Sequence, residues 1–502
     1  MSSKDKDNKK HSHKKHSRRI TKRKIFDKLN RLGNQLEEIE SLLRSGNFQG
    51  ATGFQGATGF QGATGFQGAT GFQGATGPRR GGEQGGLRVP EIQEDTKLVG
   101  TGVTGGQQIQ GTSVSLSANG NRLAIGGPGD GVLGATWIFT RSVNEEGVVS
   151  WGQEQKLVAP QPPAIDPQLQ GTSVSLDNVG QIVAIGSPLD LLNGNESGQT
   201  FIFERNAGAT GPNGPWGPFP PATLSNESSE FGQSVSMSGN GTTLAVGNPG
   251  ENNGSGAVFI YEKIESIWTL NDSTPLLGDS PDASFGTSVS LSDNGQILAV
   301  GAPDEEGGGA VRIFEKIGEL WRENPSSPLR IENSQFGFAV ALSGDGTTLA
   351  VGTGIRGTTG ETWIYHRNLD ATPRSPWTLQ TSTALVGTGA IGNAEQGTSV
   401  SLSNDGNILA IGGPGDNNDI GATWIFIRSV NEAGVVTWRQ STLPAQPPSS
   451  TPGKLIGNDH IGPSRQGTSV SLSDIGNTLA VGGPNDNGLR GATWIFIPVL
   501  RT

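Results

Sequence analysis

Six carboxylates and one guanidinium recur at a single address in this chain of 502 residues. Two positions after the Pro of a repeated Gly-Gly-Pro-like string stand Asp130, Asp190, Glu251, Glu305, Asp416 and Asp486, and the copy with Gly354 in place of Pro has Arg356 there. Equivalent positions of a repeat structure share one face and one radius. There these side chains form a candidate ring for cations, sugars or basic partners. The alternative is local: an Asp after Gly-Pro accepts backbone N–H bonds and caps its own turn.

Little else in the chain is equipped for chemistry. With no Cys at all, disulfide scaffolds, Cys-ligated metals and Cys nucleophiles are excluded. Of the five His, His11, His13 and His16 sit among eleven cations that oppose metal binding, while His366 and His460 are isolated. No nucleophile elbow, phosphate-binding glycine loop or HExxH string occurs. Gly-rich strings with no following helix lack the dipole that holds phosphate. No catalytic residue, cofactor or metal site is expected, and the chain reads as non-enzymatic.

The elements that carry the acidic positions repeat seven times. GTSVSLS-like strings begin at Gly111, Gly171, Gly232, Gly286, Gly337, Gly397 and Gly467. Each leads into a Gly-containing turn, an LAIGGP-like run, the acidic loop, a GATWIF-like run and a polar stretch that usually starts at a Trp. Val and Leu alternating with Ser is the period of a half-buried strand, and Asn119-Gly120 or Asp405-Gly406 marks a tight hairpin. Four short strands in each of seven units predict an all-β fold, a seven-bladed β-propeller with its core between blades. The seventh copy runs out after Trp494-Ile495-Phe496, and an orphan Lys97–Gly102 string precedes the first copy, so that string is expected to complete the last blade.

The region ahead of the repeats divides into four. Residues 1–24 hold 11 Lys and Arg against two Asp, a net +9 that leaves −19 for the rest of a chain of net −10. This tail is expected to be disordered and able to bind a polyanion through phosphate contacts. Ile25, Leu29, Leu32, Leu36, Ile39 and Leu43 follow a heptad, predicting a coiled coil over 25–45. Residues 50–79 are ten Gly-X-Y triplets, the spacing a triple helix needs because only Gly fits its axis. Pro78 is their only imino acid, so the triplets depend on the coiled coil to hold three chains in register. Residues 80–94 form a linker and 95–502 the propeller.

Two resemblances rest on these strings. The triplets resemble collagen-like proteins of bacterial and viral surfaces, some of which carry sugars at Y positions such as Thr52 and Thr58. Phe285-Gly286 with Gly301-Ala302-Pro303 resembles the FG-GAP repeat of integrin α-chain propellers, in fold-level pattern over residues 95–502. That family's Ca²⁺ ladder is absent from the short loops here, for example Ser292–Gln296, so its metal sites are not implied.

No apolar run reaches membrane-spanning length, and the N-terminus lacks the apolar stretch of a secretory signal. The expected protein is a homotrimeric structural fibre displaying propeller heads on the surface of a virion, spore or cell. Its partners would be glycans or surface proteins at the head, with no membrane insertion. A glycan- or protein-binding propeller module is the alternative, and a propeller hydrolase the less favoured one.

Overall fold

The structure is a computed structural model. It describes residues 88–498 apart from 160–168, 189–197, 207, 209–214, 218–221, 227–229, 333, 355, 368–375 and 443–448. The basic tail, the heptad, the Gly-X-Y triplets and Asp190 lie outside the described residues.

The repeats fold as seven antiparallel sheets. Blade 1 is typical: Ser113–Leu116 pairs with Arg122–Gly127, which pairs with Ala135–Val143, which pairs with Val149–Leu157. Blades 2 to 7 have their first strands at Ser173–Leu176, Ser234–Met237, Ser288–Leu291, Ala339–Leu342, Ser399–Leu402 and Ser469–Leu472. In each meander the turn between strands one and two and the hairpin between three and four lie on one face. The acidic loops, between strands two and three, lie on the other.

The core sits between blades. Ile408, Ala410 and Ile425 of blade 6 pack with Val470, Leu472, Leu479, Val481 and Trp494 of blade 7, and every other junction repeats this pattern. Gly126 shows what such closeness demands. A Cβ on it would collide with the Gly171 carbonyl of the next blade, and the glycines at the same place in the other six blades meet the same obstacle. This explains the Gly of the LAIGGP-like run.

The alternating Ser residues fasten neighbours. Ser113 Oγ donates to the Gly171 carbonyl of blade 2 at 2.8 Å, and Ser115 Oγ accepts from Leu176 N–H at 3.0 Å. The same two bonds join blades 2 to 3, 3 to 4, 4 to 5, 6 to 7 and 7 to 1, at 2.8–3.0 Å. Blade 5 carries Ala339 and Ala341 in their place, so neither bond reaches blade 6. Near the axis, seven backbone N–H···O bonds of 2.8–3.4 Å run from turn to turn around the ring, as from Asp474 N–H to the Ala118 carbonyl. Further out, ion pairs cross five junctions: Glu94–Arg141, Glu154–Arg205, Glu204–Lys263, Glu262–Lys316 and Glu315–Arg367.

The N-terminal segment closes the ring, starting earlier than the Lys97–Gly102 string. Ile92 and Gln93 pair with Ile497 and Phe496, Glu94 N–H donates to the Ile495 carbonyl, and Leu98 bridges Thr493. Asp95, at φ 65°, interrupts the segment, leaving a two-residue strand and a separate bridge. Leu98 occupies the place that Leu157 holds against Thr136 and Leu455 against Thr423.

Candidate functional site

The loop between strands two and three places each acidic residue at its start. In blades 3, 6 and 7 the acid is followed by two consecutive left-handed residues, Asn252-Asn253, Asn417-Asn418 and Asn487-Gly488. Asn and Gly are the residues that enter this region at least cost, so the local sequence fixes a tight left-handed turn.

These turns do not present free carboxylates to solvent. Asp130, Glu305, Asp416 and Asp486 are each at most 2% exposed. Asp130 accepts Thr104 N–H at 2.8 Å and the Thr104 hydroxyl at 3.0 Å, and pairs with Lys156. Asp416 accepts Ile391 N–H at 2.7 Å and forms an ion pair with Lys454 Nζ at 2.7 Å. Asp486 accepts Ile461 N–H at 2.6 Å and Lys97 Nζ at 2.6 Å. The N–H donors belong to the connection from the preceding blade, so the carboxylates fasten that connection rather than cap their own turns.

Lys97, Lys156 and Lys454 occupy one position, beside the Leu that bridges strand three. Lys156 Nζ lies 5.6 Å from the Trp137 ring centroid and Lys454 Nζ 5.4 Å from that of Trp424. The indole N–H of Trp137, Trp424 and Trp494 donates to the carbonyls of Thr101, Thr388 and Asn458 at 2.7–2.8 Å. Gly100, Gly387 and Gly457 lie flat on these rings, where a Cβ would collide. Gln110, Gln396 and Gln466 accept those glycines' N–H at 2.5 Å each. Acid, lysine, tryptophan, glycine and glutamine therefore form one fastening, built three times.

The remaining blades vary it. In blade 4 the cation moves to strand three: Glu305 pairs with Arg312 at 3.0 Å and also with Arg330. Burial alone would depress the Arg312 guanidinium; Glu305, Glu323 and Asp279 more than reverse that and hold it above its ordinary value. In blade 3, Glu251 accepts the amides of Asn226 and Asn248 at 2.9 and 3.0 Å. Blade 5 has Ala384 where the lysine would stand, and its Arg356 is exposed. Acid and lysine are lost there together, as members of one pair would be. The six described positions thus share a loop address without forming an open ring: four buried carboxylates are each neutralised by a cation from their own sheet, and Arg356 stands apart.

The tryptophans are structural as well. Trp137, Trp424 and Trp494 are 0% exposed, and Trp216, Trp268, Trp321, Trp377 and Trp438 are also buried. They offer no flat surface to a sugar ring. His366 and His460 are both half-buried, and the His366 imidazole is depressed by burial and by nearby Arg428. Among the described residues, no three His, Asp or Glu side chains come together to hold a metal.

A group not anticipated from sequence lies at the axis on the opposite face, where the turns between strands one and two converge. Asn178 Nδ2 donates to Asp293 at 3.0 Å, and Asn404 Nδ2 donates to Asp293 and, at 3.4 Å, to Asp474. Burial and the Asp293 charge raise the Asp474 carboxyl to about 6, against the opposing Asn404 bond. The available signal was the second residue after each first strand, which must meet its counterparts at the axis. At the other end the channel mouth holds about 210 Å³, lined by uncharged residues such as Thr112, Thr172, Gln233, Thr287 and Thr468.

The FG-GAP repeat family matches residues 225–261, a stretch that takes in the first two strands of blade 3 and most of the third. There Phe231 is fully buried, meeting Phe259 edge-on at 5.4 Å, and Phe285 and Phe336 hold the same place in blades 4 and 5. No curated protein matches. Among solved structures the chain is similar to a candidate 6-phosphogluconolactonase from Bacteroides uniformis, with 11% identity and a TM-score of 0.44 over 69% of this chain and 85% of that one. A candidate of the same name from Bacteroides fragilis shows 12% identity and a TM-score of 0.46 over 69% and 84%. The WD40 repeats of RRP9 show 11% and 0.45 over 82% and 99%.

Proposed function

We propose that the protein is a non-enzymatic display protein whose propeller is a protein-binding or adhesion-type head, with residues 25–79 assembling three chains into a stalk. The observation that carries the reading of the head is the use of its recurring polar residues as fastenings within a ring that contains an FG-GAP repeat. Side chains spent on holding blades together leave recognition to the loops that differ between blades. The heptad of 25–45 and the triplets of 50–79 support the stalk. At about 1.5 Å per residue of helix and 3.1 Å per residue of triple helix, it would measure roughly 30 plus 90 Å. The basic tail would anchor this assembly to a polyanion, on the surface of a virion, spore or cell.

The stalk is tested by sedimentation of the full chain beside residues 88–502. A trimer for the first and a monomer for the second is the expected result, and monomers of the full chain at micromolar concentration overturn it. For the head, residues 88–502 are titrated against immobilised glycans and against proteins extracted from candidate host surfaces. Saturable binding lost on replacing the blade-specific loops supports the reading. Binding to neither class, or turnover of a lactone or ester by the purified head, removes it.

A further inference from the structure

The seven junctions are not equally fastened, and we infer that the ring opens between blades 5 and 6 rather than at the seam where the two ends of the chain meet. Two independent families of contact lead to this junction. Ala339 removes the hydroxyl that elsewhere donates to the next blade's Gly carbonyl, here Gly397, and Ala341 removes the one that would accept from Leu402 N–H. Both bonds are present at each of the other six junctions. The peripheral ion pair is replaced by a neutral bond, Trp438 Nε1 to Gln380 Oε1 at 2.8 Å.

The covalently open seam, between blades 7 and 1, is by contrast heavily tied. Ser469 and Ser471 make both hydroxyl bonds. Glu94 takes Arg141 at 2.6 Å and the Trp151 indole N–H at 3.0 Å. Junction 6/7 has no peripheral ion pair among the described residues but keeps both serine bonds, and Arg465 ties its connection to Glu395 at 2.6 Å. Junction 5/6 keeps the buried fastening of its connection, from Ile391 N–H to Asp416 and from Gly387 N–H to Gln396, but the two sheets themselves are joined mainly by the apolar packing of Ile364, Leu402, Leu409 and Trp424, the backbone bridge from Gly360 to Gln396 and the axial bond from Asp345 N–H to the Asn404 carbonyl, 3.3 Å long. Local opening draws on the least-tied contacts first. A ring with one thin junction opens there as a hinged band, with its six other junctions intact.

The test is amide hydrogen exchange of the full chain, followed by mass spectrometry under conditions where exchange reports opening equilibria. Two absent hydrogen bonds correspond to roughly a tenfold or greater change in such an equilibrium. Ser399–Leu402 is expected to exchange at least that much faster than Ser113–Leu116 and Ser469–Leu472. The paired substitution Ala339→Ser and Ala341→Ser should slow exchange in Ser399–Leu402 towards the level of the other first strands, without slowing Ser113–Leu116. Fastest exchange at the 7/1 seam, equal exchange at all seven junctions, or no effect of the serines overturns the inference.

Discussion

Replacing Lys97 by Met separates the ring-closing ion pair from the rest of the closing segment. Asp486 is 1% exposed and Lys97 14%; their Nζ–Oδ2 distance is 2.6 Å, and the remaining carboxylate partner is the Ile461 N–H. Met keeps most of the side-chain volume but leaves the carboxylate buried beside a single neutral donor. Removing one member of a buried pair costs about 3–5 kcal/mol, mostly the desolvation of the partner left behind. Unfolding entropy of about 2.1 cal/mol/K per residue gives roughly 0.8 kcal/mol/K for a head of about 400 residues, so the melting point of Lys97→Met should fall by about 4–6 °C. Adding Asp486→Asn removes the stranded charge, and the double variant should recover more than half of that loss. Calorimetry of the four proteins of the cycle measures both quantities. A shift below about 1 °C for Lys97→Met, or a double variant as unstable as the sum of the singles, refutes the argument that the pair is desolvated and coupled.

Three further outcomes are expected from the same contacts. The Asp474 carboxyl, raised to about 6 in the folded head, binds its proton more tightly there than in the unfolded chain; its contribution is therefore present below about pH 4 and lost as pH rises through about 6. The melting-point difference between Asp474→Asn and the parent should grow in favour of Asn across that window, and a constant difference would contradict the assignment. Thr136 Oγ1 is buried without a partner in strand three of blade 1, as are its counterparts Thr200, Thr362, Thr423 and Thr493, whereas blades 3 and 4 carry Val258 and Val311. Thr136→Val should stabilise the head by about 1 kcal/mol, read as a higher denaturant midpoint. Exposed Arg356 faces no ring of free carboxylates among the described residues, so Arg356→Glu should change stability by less than about 0.5 kcal/mol at roughly 0.1 M and 1 M salt alike.

The architecture was legible because it is written seven times. Val and Leu alternating with Ser, a Gly-containing turn and a four-strand count leave few other ways to bury each sheet. The closing segment was legible only roughly: Leu98 matches Leu455 in sequence, but a two-residue strand such as Ile92–Gln93 has no period to read, and the left-handed Asp95 separates it from the Leu98 bridge. At the acidic loops the common address was visible while the burial was not. Asp130 meets its lysine 26 positions on, Asp416 38 positions on, and Asp486 389 positions back, so no fixed spacing announces the pair. The signal was the Lys-Leu dipeptide at 97, 156 and 454. The burial of the tryptophans was not legible, because period two separates the faces of a sheet without saying whether either is exposed; eight of the ten are buried.

The pairing of Ile92 with Ile497 spans 405 positions, which sets a schedule for the ribosome. At about 5–20 residues per second, the first strand to emerge waits roughly 20–80 s for its partner, while the third strand of the last blade has yet to be made. Contacts this distant in sequence form slowly even in a complete chain, because loop closure precedes any reward from packing. Until then the nascent head is an open arc with an unpaired strand edge, the form most able to pair with a neighbour on the same polysome. Moving residues 88–102 to follow Pro498 by circular permutation would shorten that wait to a few seconds. It should raise the yield of soluble head at high expression without altering the melting point of the finished ring.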